Sequence, residues 1–354
     1  MNWNNKLAAL FNIKYPIVQA PMLGVTSPEM VAAVSNAGGL GSLPVGLLSP
    51  EKTRELIIKT KSLTVKPFAV NLFTHELPDI DLIYANQIQE KLAEISERYG
   101  IKSEAVDLGK IRHFSYREQL DILISEEIKI VSFTFGVLEK VEIEKLHANE
   151  FVIIGTATSV REARYLEELG IDVITAQGIE AGGHRGTFFT DEPLPQIGLI
   201  SLLPQIADAV DCPVLAAGGI MDGRTITAAT ILGASGVQVG SAFVGSDESL
   251  AIKKYREALV ESKDTDTVLT RAFSGRWARG IRNTFHDEMQ KLNPEYPPYP
   301  ILNTLTAPIR TASQKIQNKE FTTLWAGQSA SMAKLKSSAE IFRFLVEDTE
   351  RLSN

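Results

Sequence analysis

Short apolar runs alternate with amphipathic stretches along most of the chain. The runs occupy 17–20, 40–43, 68–72, 129–133, 151–154, 172–176, 213–217 and 236–240. Each is too short for a core helix and is almost continuously apolar, as a strand buried on both faces must be. Between them the period lengthens to that of a helix. Ser27-Pro28 starts one helix with an N-cap and a first-turn proline; Met30, Val31, Val34 and Ala37 form its apolar stripe, and Gly38-Gly39 ends it. Ser49-Pro50 opens the next in the same way, with Leu56 and Ile57 inward. Asp81 to Tyr99 reads as a long amphipathic helix, and Ser159 with Glu162 has capping-box spacing before another, which Gly170 closes.

Eight strands alternating with helices predict an α/β protein of the (β/α)₈ TIM-barrel class. A doubly wound open sheet is the alternative; the first strand is not followed by the GxGxxG turn that such a dinucleotide-binding sheet carries, and the count closes at eight. The barrel is expected to use 1–260 and 329–354, with an insertion at 74–120, and 261–328 forms a cap on the substrate side. Ser249 to Val260 is helical, Asn293 to Pro300 carries too much proline for regular helix, and Ser329 to Leu352 is the barrel-closing helix.

Composition adds limits. The 354 residues are 44% hydrophobic and 22% charged, with net charge -7 and the two signs interspersed. That balance disfavours nucleic acid and membrane as partners and leaves room for small anions at a local positive site. Cys212 is the single cysteine, so one chain can build neither a disulfide nor a CxxC pair, and no His/Asp/Glu spacing reads as a metal site. The polar N-terminus leads to no signal-type core, and no apolar run is long enough to span a bilayer, which makes the cytoplasm the default compartment.

The barrel gives the unusual residues a common address, because functional loops in this fold follow the C-terminal ends of the strands. Gln19-Ala20-Pro21-Met22 ends the first strand and Asn71 the third. The stretch Gln177 to Thr187, with Gly182, Gly183, His184 and Arg185, follows the sixth; Gly218-Gly219 follows the seventh and Gly240-Ser241 the eighth. The last two glycine sites suit a phosphate held by backbone N–H groups, although tight turns alone would also use them. Gln19, Asn71, Gln177 and Gln238 suit a polar heterocycle such as flavin, or are satisfied core amides. Of five histidines, His184 sits among these groups; His75 is second, and His113, His147 and His286 fall where a solvated face is the simpler reading. Taken alone, the His184 stretch reads equally well as a Gly-rich surface loop, and Arg185 as its anchor. Cys212 precedes the seventh strand, at the opposite end of the barrel.

Together these residues resemble the nitronate monooxygenase (2-nitropropane dioxygenase) family. The likeness is carried by Tyr15 to Met22, Asn36 to Gly41, Phe68 to Asn71, Glu180 to His184, Ala217 to Ile220 and Gln238 to Ser241. It implies non-covalent FMN, with Pro21, Met22, Asn71 and Gln177 lining the isoalloxazine side. Gly182, Gly218, Gly219 and the Gln238-Val239-Gly240-Ser241 turn would hold the ribityl phosphate, and Gly182 and Gly183 would bring the backbone close to the flavin. His184 matches the family's catalytic histidine, cationic or hydrogen-bonding toward an anionic substrate. The implied reaction is oxidation of an alkyl nitronate by O₂ to a carbonyl compound and nitrite, with a homodimer as an allowed assembly. FMN-dependent enoyl-acyl-carrier-protein reductases look similar at these positions, so an NAD(P)H-dependent FMN reductase acting on an enoyl thioester or quinone is the alternative. A barrel binding FMN or a sugar phosphate without redox turnover is the third. After Tyr299-Pro300, Asn303 stands where one subgroup carries a second tyrosine, which points to another branch.

Overall fold

The computed structural model describes residues 3–189, 193–292 and 295–353. Eight strands, Ile17–Gln19, Gly41–Pro44, Phe68–Phe73, Ile130–Thr134, Val152–Ala157, Val173–Gln177, Val214–Ala217 and Gly236–Val239, lie parallel in one sheet. The first pairs with the eighth, Ile17 opposite Val237, and meets the second through a Val18–Leu40 bridge, which closes the (β/α)₈ barrel. Each strand lies within a few residues of an apolar run in the sequence.

Alternation along the strands separates two cores. Val18, Leu40, Ala69, Ile130, Ile154, Val173 and Leu215 cluster with Leu7 and Phe11 of the N-terminal helix Lys6–Phe11. That helix plugs one end of the barrel, so the interior opens at the strands' C-terminal ends. Outward-facing residues such as Ile17, Val70, Val131 and Ile174 pack beneath the surrounding helices. Gln19 is also a core amide: it is fully buried, donates to Thr26 Oγ1 (3.0 Å) and the Ala20 carbonyl, and accepts from Ser42 N–H (3.0 Å).

A third core joins two segments far apart in sequence. Ile88, Leu92 and Ile95 of helix Leu82–Arg98 pack against Phe273, Phe285, Leu302, Leu305 and Phe321. Arg98 and Tyr99 reach buried Glu288 at 2.7 and 3.1 Å. By contrast, helix Tyr116–Ser125 puts Tyr116, Leu120 and Leu123 into the main core and packs on helix Pro50–Leu63. Asn293 and Pro294 of the proline-rich stretch lie outside the described residues; Glu295 to Pro298 is irregular.

Local chemistry set most helix ends. Ser27 and Ser49 cap as expected, accepting from Met30 and Lys52 N–H. The closing helix begins later than its periodicity suggests, at Ser338–Ser353, because Ser337 and Glu340 form a reciprocal capping pair after a 3₁₀ turn at Ala330–Met332. The expected Ser159–Glu162 box is only half formed. Ser159 accepts from Glu162 N–H, but the Glu162 carboxylate turns away to accept from Thr158 N–H and Oγ1 (2.6 and 2.7 Å) and from Thr187 Oγ1 and Phe188 N–H (2.7 and 2.8 Å). One buried carboxylate thereby ties the loop after the sixth strand to the barrel wall. Glu162→Ala leaves these donors without an acceptor, and the melting temperature is expected to fall by the equivalent of about 2–4 kcal/mol, measurable by thermal unfolding.

Candidate active site

The loop after the sixth strand is held from several sides. Gln177 bridges its own return: Nε2 donates to the His184 carbonyl (3.0 Å), and Oε1 accepts from Gly186 N–H (2.8 Å). Arg185 is fully buried and points back into the loop, donating from Nη1 to the Gly178 carbonyl (2.6 Å) and from Nη2 to the Gln177 carbonyl (2.9 Å). It anchors the loop. Two further arginines come from the segment beyond the eighth strand: Arg279 donates to the Ile179 carbonyl (2.9 Å) and Arg276 to the Thr187 carbonyl. Gly183–His184 is itself a short strand, antiparallel to Ala278–Ile281, which pairs in turn with Thr267–Thr270. Gly182 is packed so tightly that a Cβ would lie 2.5 Å from the Gly327 nitrogen. The sequence reads this stretch as a turn; the pairing that makes it part of a sheet comes from residues about ninety positions later.

A cavity of about 410 Å³ occupies the barrel mouth. Pro21, Met22, Asn71, Gln177, Gly182, Gly183, His184, Gly218, Gly219, Gln238, Gly240 and Ser241 all line it. Val239 does not; its side chain is fully buried in the main core, and its carbonyl accepts from Ala20 N–H (2.8 Å). Gly218 and Gly219 have φ of 126° and 68°, conformations that only glycine adopts without strain. Neither N–H has a hydrogen-bond partner among the described residues. Asn71 donates to Ser132 Oγ (3.0 Å), while its buried Oδ1 has no partner. The cavity therefore offers unused donors at one place and an unused acceptor at another.

His184 projects into the same space. Nε2 is 2.7 Å from Ser274 Oγ, and the ring stands edge-on to Phe135, Trp325 and Tyr299, with centroids 5.3, 5.2 and 5.8 Å away. Burial, then the charges of Arg276 and Arg310, pull its pKa down to about 3, so the imidazole is neutral at physiological pH. The sequence left its charge open; burial decides it, and the two guanidiniums add to the effect. Arg310 lines the cavity on helix Ile301–Lys315 and donates to Thr306 Oγ1 (3.2 Å) and to Asn303 O and Oδ1 (2.6 and 3.0 Å). Arg276 lies 4.5 Å over the Phe135 ring. Burial lowers both to about 10, which leaves them charged, and neither is within ion-pair distance of a carboxylate among the described residues.

The other histidines lie elsewhere. His75 packs 4.7 Å from the Tyr299 ring with neither nitrogen hydrogen-bonded, and burial pulls it down to about 4; it does not line the cavity. His113 meets Thr304 Oγ1 (2.8 Å) and His147 meets Asp172 (3.1 Å). His286 is buried beside Asp287 instead of lying on a solvated face. Burial pushes the Cys212 thiol up to about 12. Ser274, Arg276 and Arg310 were not legible as site residues. Asn303, Ala307, Arg310 and Gln314 share one helix face, which by pattern alone reads as solvated, yet it lines the cavity.

Among the described residues no helix is long and apolar enough to cross a membrane. The sequence profile described as Nitronate monooxygenase matches residues 4–348. A protein of Staphylococcus aureus (strain JH9) named "Probable nitronate monooxygenase" is 42% identical over 353 residues, 99% of both chains. Its Staphylococcus saprophyticus counterpart is 41% identical over all of both chains. Among solved structures, nitroalkane oxidase from Streptomyces ansochromogenes superposes with a TM-score of 0.88 at 36% identity, covering 99% of each chain. FabK from Thermotoga maritima is more distant, with a TM-score of 0.77 at 27% identity, covering 99% of this chain and 98% of its own. With matches that run from end to end and a barrel mouth built around His184, the chain belongs to the nitronate monooxygenase family of oxidoreductases.

Proposed function

We propose that the cavity holds FMN and that the protein oxidises alkyl nitronates with O₂ to carbonyl compounds and nitrite. One observation carries the reading: Arg310 lines the cavity near His184, largely desolvated, with no carboxylate within ion-pair distance among the described residues. A buried charge without a counterion is costly, and an anionic substrate supplies the missing partner. A nitronate is such an anion.

The residues present fit FMN. The free N–H groups of Gly218 and Gly219 suit its phosphate, with the Gly240-Ser241 turn lining the same cavity. The unpaired Asn71 Oδ1 and the Gln238 amide suit the polar edge of its ring, and Pro21, Met22, Gln177 and Gly182 would pack around it. Bound FMN would supply the redox chemistry that couples nitronate oxidation to the reduction of O₂.

The chain's own groups bind, orient and move a proton. Arg310 faces the cavity and holds the anion. His184, being neutral, leaves the charge-pairing to the guanidiniums. A neutral nitroalkane fits the same arrangement: His184 takes the α-proton, and the nitronate forms beside Arg310. The part of the pKa depression that comes from Arg310 is offset once that anion lies beside it. Phe135, Trp325 and Tyr299 shield the imidazole ring on three sides, leaving the side toward the cavity.

The deciding assay follows O₂ uptake by FMN-loaded protein on adding a nitronate, without NAD(P)H. Nitronate-dependent uptake is expected. Bleaching of the flavin by NAD(P)H with no response to nitronate would establish the enoyl-reductase alternative instead, and a protein that takes up no FMN would exclude both. His184→Asn should keep FMN and lose turnover of a neutral nitroalkane, whose α-proton must be removed; full activity on a nitroalkane would remove His184 from the mechanism. Arg310→Gln should lower kcat/KM for nitronate by about tenfold to a hundredfold, the loss of one hydrogen bond to a charged group, with the flavin spectrum unchanged. Because the folded pKa of His184 is depressed to about 3, kcat/KM for a preformed nitronate should show no histidine ionisation as pH rises through about 6.5. A fall in rate across that pH range would instead mean that a cationic histidine is required.

A further inference from the structure

Ser274 lies beneath His184, fully inside the protein. A hydroxyl has one proton to give and two lone pairs. Three groups approach this one: His184 Nε2 at 2.7 Å, Arg276 N–H at 3.3 Å and the Arg276 carbonyl oxygen at 3.3 Å. The amide only donates, so it occupies one lone pair. The carbonyl only accepts, and no other donor among the described residues reaches it. If the Ser274 proton goes to that carbonyl, the second lone pair is left for Nε2, and Nε2 must bring the proton. This assignment uses every capacity of the hydroxyl. The reverse, with Ser274 donating to Nε2, leaves the carbonyl without a donor and a lone pair idle in a buried place.

We propose that Ser274 is a positioning residue that fixes His184 as its Nε2–H tautomer and presents a bare Nδ1 to the cavity. Among the described residues Nδ1 has no hydrogen-bond partner, and His184 lines the cavity. Phe135, Trp325 and Tyr299 stand around the imidazole on three sides, so the ring cannot turn over to exchange its nitrogens without displacing an aromatic side chain. Burial of the ring, reinforced by the charges of Arg276 and Arg310, keeps Nδ1 unprotonated at rest.

The consequence for chemistry rests on the nitronate reading. A bare Nδ1 is a proton acceptor. On a neutral nitroalkane the α C–H bond breaks, the proton joins Nδ1, and the bond's electron pair moves into the nitro group to give the nitronate. The Nε2–H to Ser274 bond is the same before and after this step, so nothing at Ser274 has to rearrange. It also places the recognition of the anion on Arg310 instead of on the histidine.

The tautomer can be read directly. Protein carrying FMN and ¹⁵N-histidine is examined by long-range ¹H–¹⁵N correlation, with the His184 signals identified by their loss in His184→Asn. A protonated Nε2 and an unprotonated Nδ1 are expected in the parent protein; a protonated Nδ1 would overturn the proposal whether or not any variant folds. Ser274→Ala should show mixed tautomers and a kcat on nitroethane about tenfold lower, with KM little changed and FMN retained. Ser274→Thr, which keeps the hydroxyl, should restore both the single tautomer and the rate. A single Nε2–H tautomer with unchanged kcat in Ser274→Ala would also sink the role. If no nitroalkane or nitronate drives O₂ uptake, the functional reading falls, while the nitrogen shifts still decide the tautomer.

Discussion

The site hangs on a guanidinium that does not line the cavity. Arg185 is among the largest fully buried side chains in the protein, and its charge sits inside the loop it belongs to. An isolated charge there would be very costly. It is tolerated because the Gln177 and Gly178 carbonyls accept from it, and because Glu162 and Glu180 lie near enough to favour its charged form. Those carbonyls lie where the sixth strand ends, so the bond pulls the chain back over the barrel mouth and delivers His184 one residue earlier in the sequence. Gln177 closes the same bend from the other side. Arg279 and Arg276 then fasten the outer half of the loop to the segment beyond the barrel.

This clamp turns a flexible composition into a rigid surface. Three glycines within five residues would otherwise leave the backbone free. Instead the stretch is cross-linked to a strand, a sheet and a buried carboxylate. Rigidity matters because catalysis by position depends on small displacements. The same elements that fasten the loop also set its electrostatics. Arg276 holds Thr187 and at the same time depresses His184. A protein of net charge -7 thus keeps a locally positive, water-poor pocket, which is what a small anion needs. Structure and charge are supplied here by one set of side chains.

Much of the barrel was legible from period alone. Eight apolar runs marked eight strands because a strand buried on both faces cannot be amphipathic. Ser27 and Ser49 announced helix starts because their hydroxyls satisfy local N–H groups, a matter of three residues. The cavity-lining glycines and amides were legible because strand ends in this fold share one mouth. The failures have a common cause. Glu162 has the spacing of a capping box, but Thr158, Thr187 and Phe188 compete for its carboxylate. The closing helix keeps its apolar period upstream of Ser337, where other contacts impose a 3₁₀ turn.

The sequence by itself determined the strand count, the helix caps and the placing of His184 after the sixth strand, because those depend on neighbours in the chain. Only the tertiary structure decided what His184 is. Its neutrality comes first from burial and then from Arg276 and Arg310, and its hydrogen bond from Ser274, three residues at least ninety positions away. Helix Ile301–Lys315 is brought against the mouth by packing with Leu82–Arg98, and that contact turns a polar, solvated-looking face into the wall of a cavity. Periodicity records which side of an element is apolar. It does not record what a polar side will meet, because that depends on long-range docking between segments whose apolar sides are all the pattern can show.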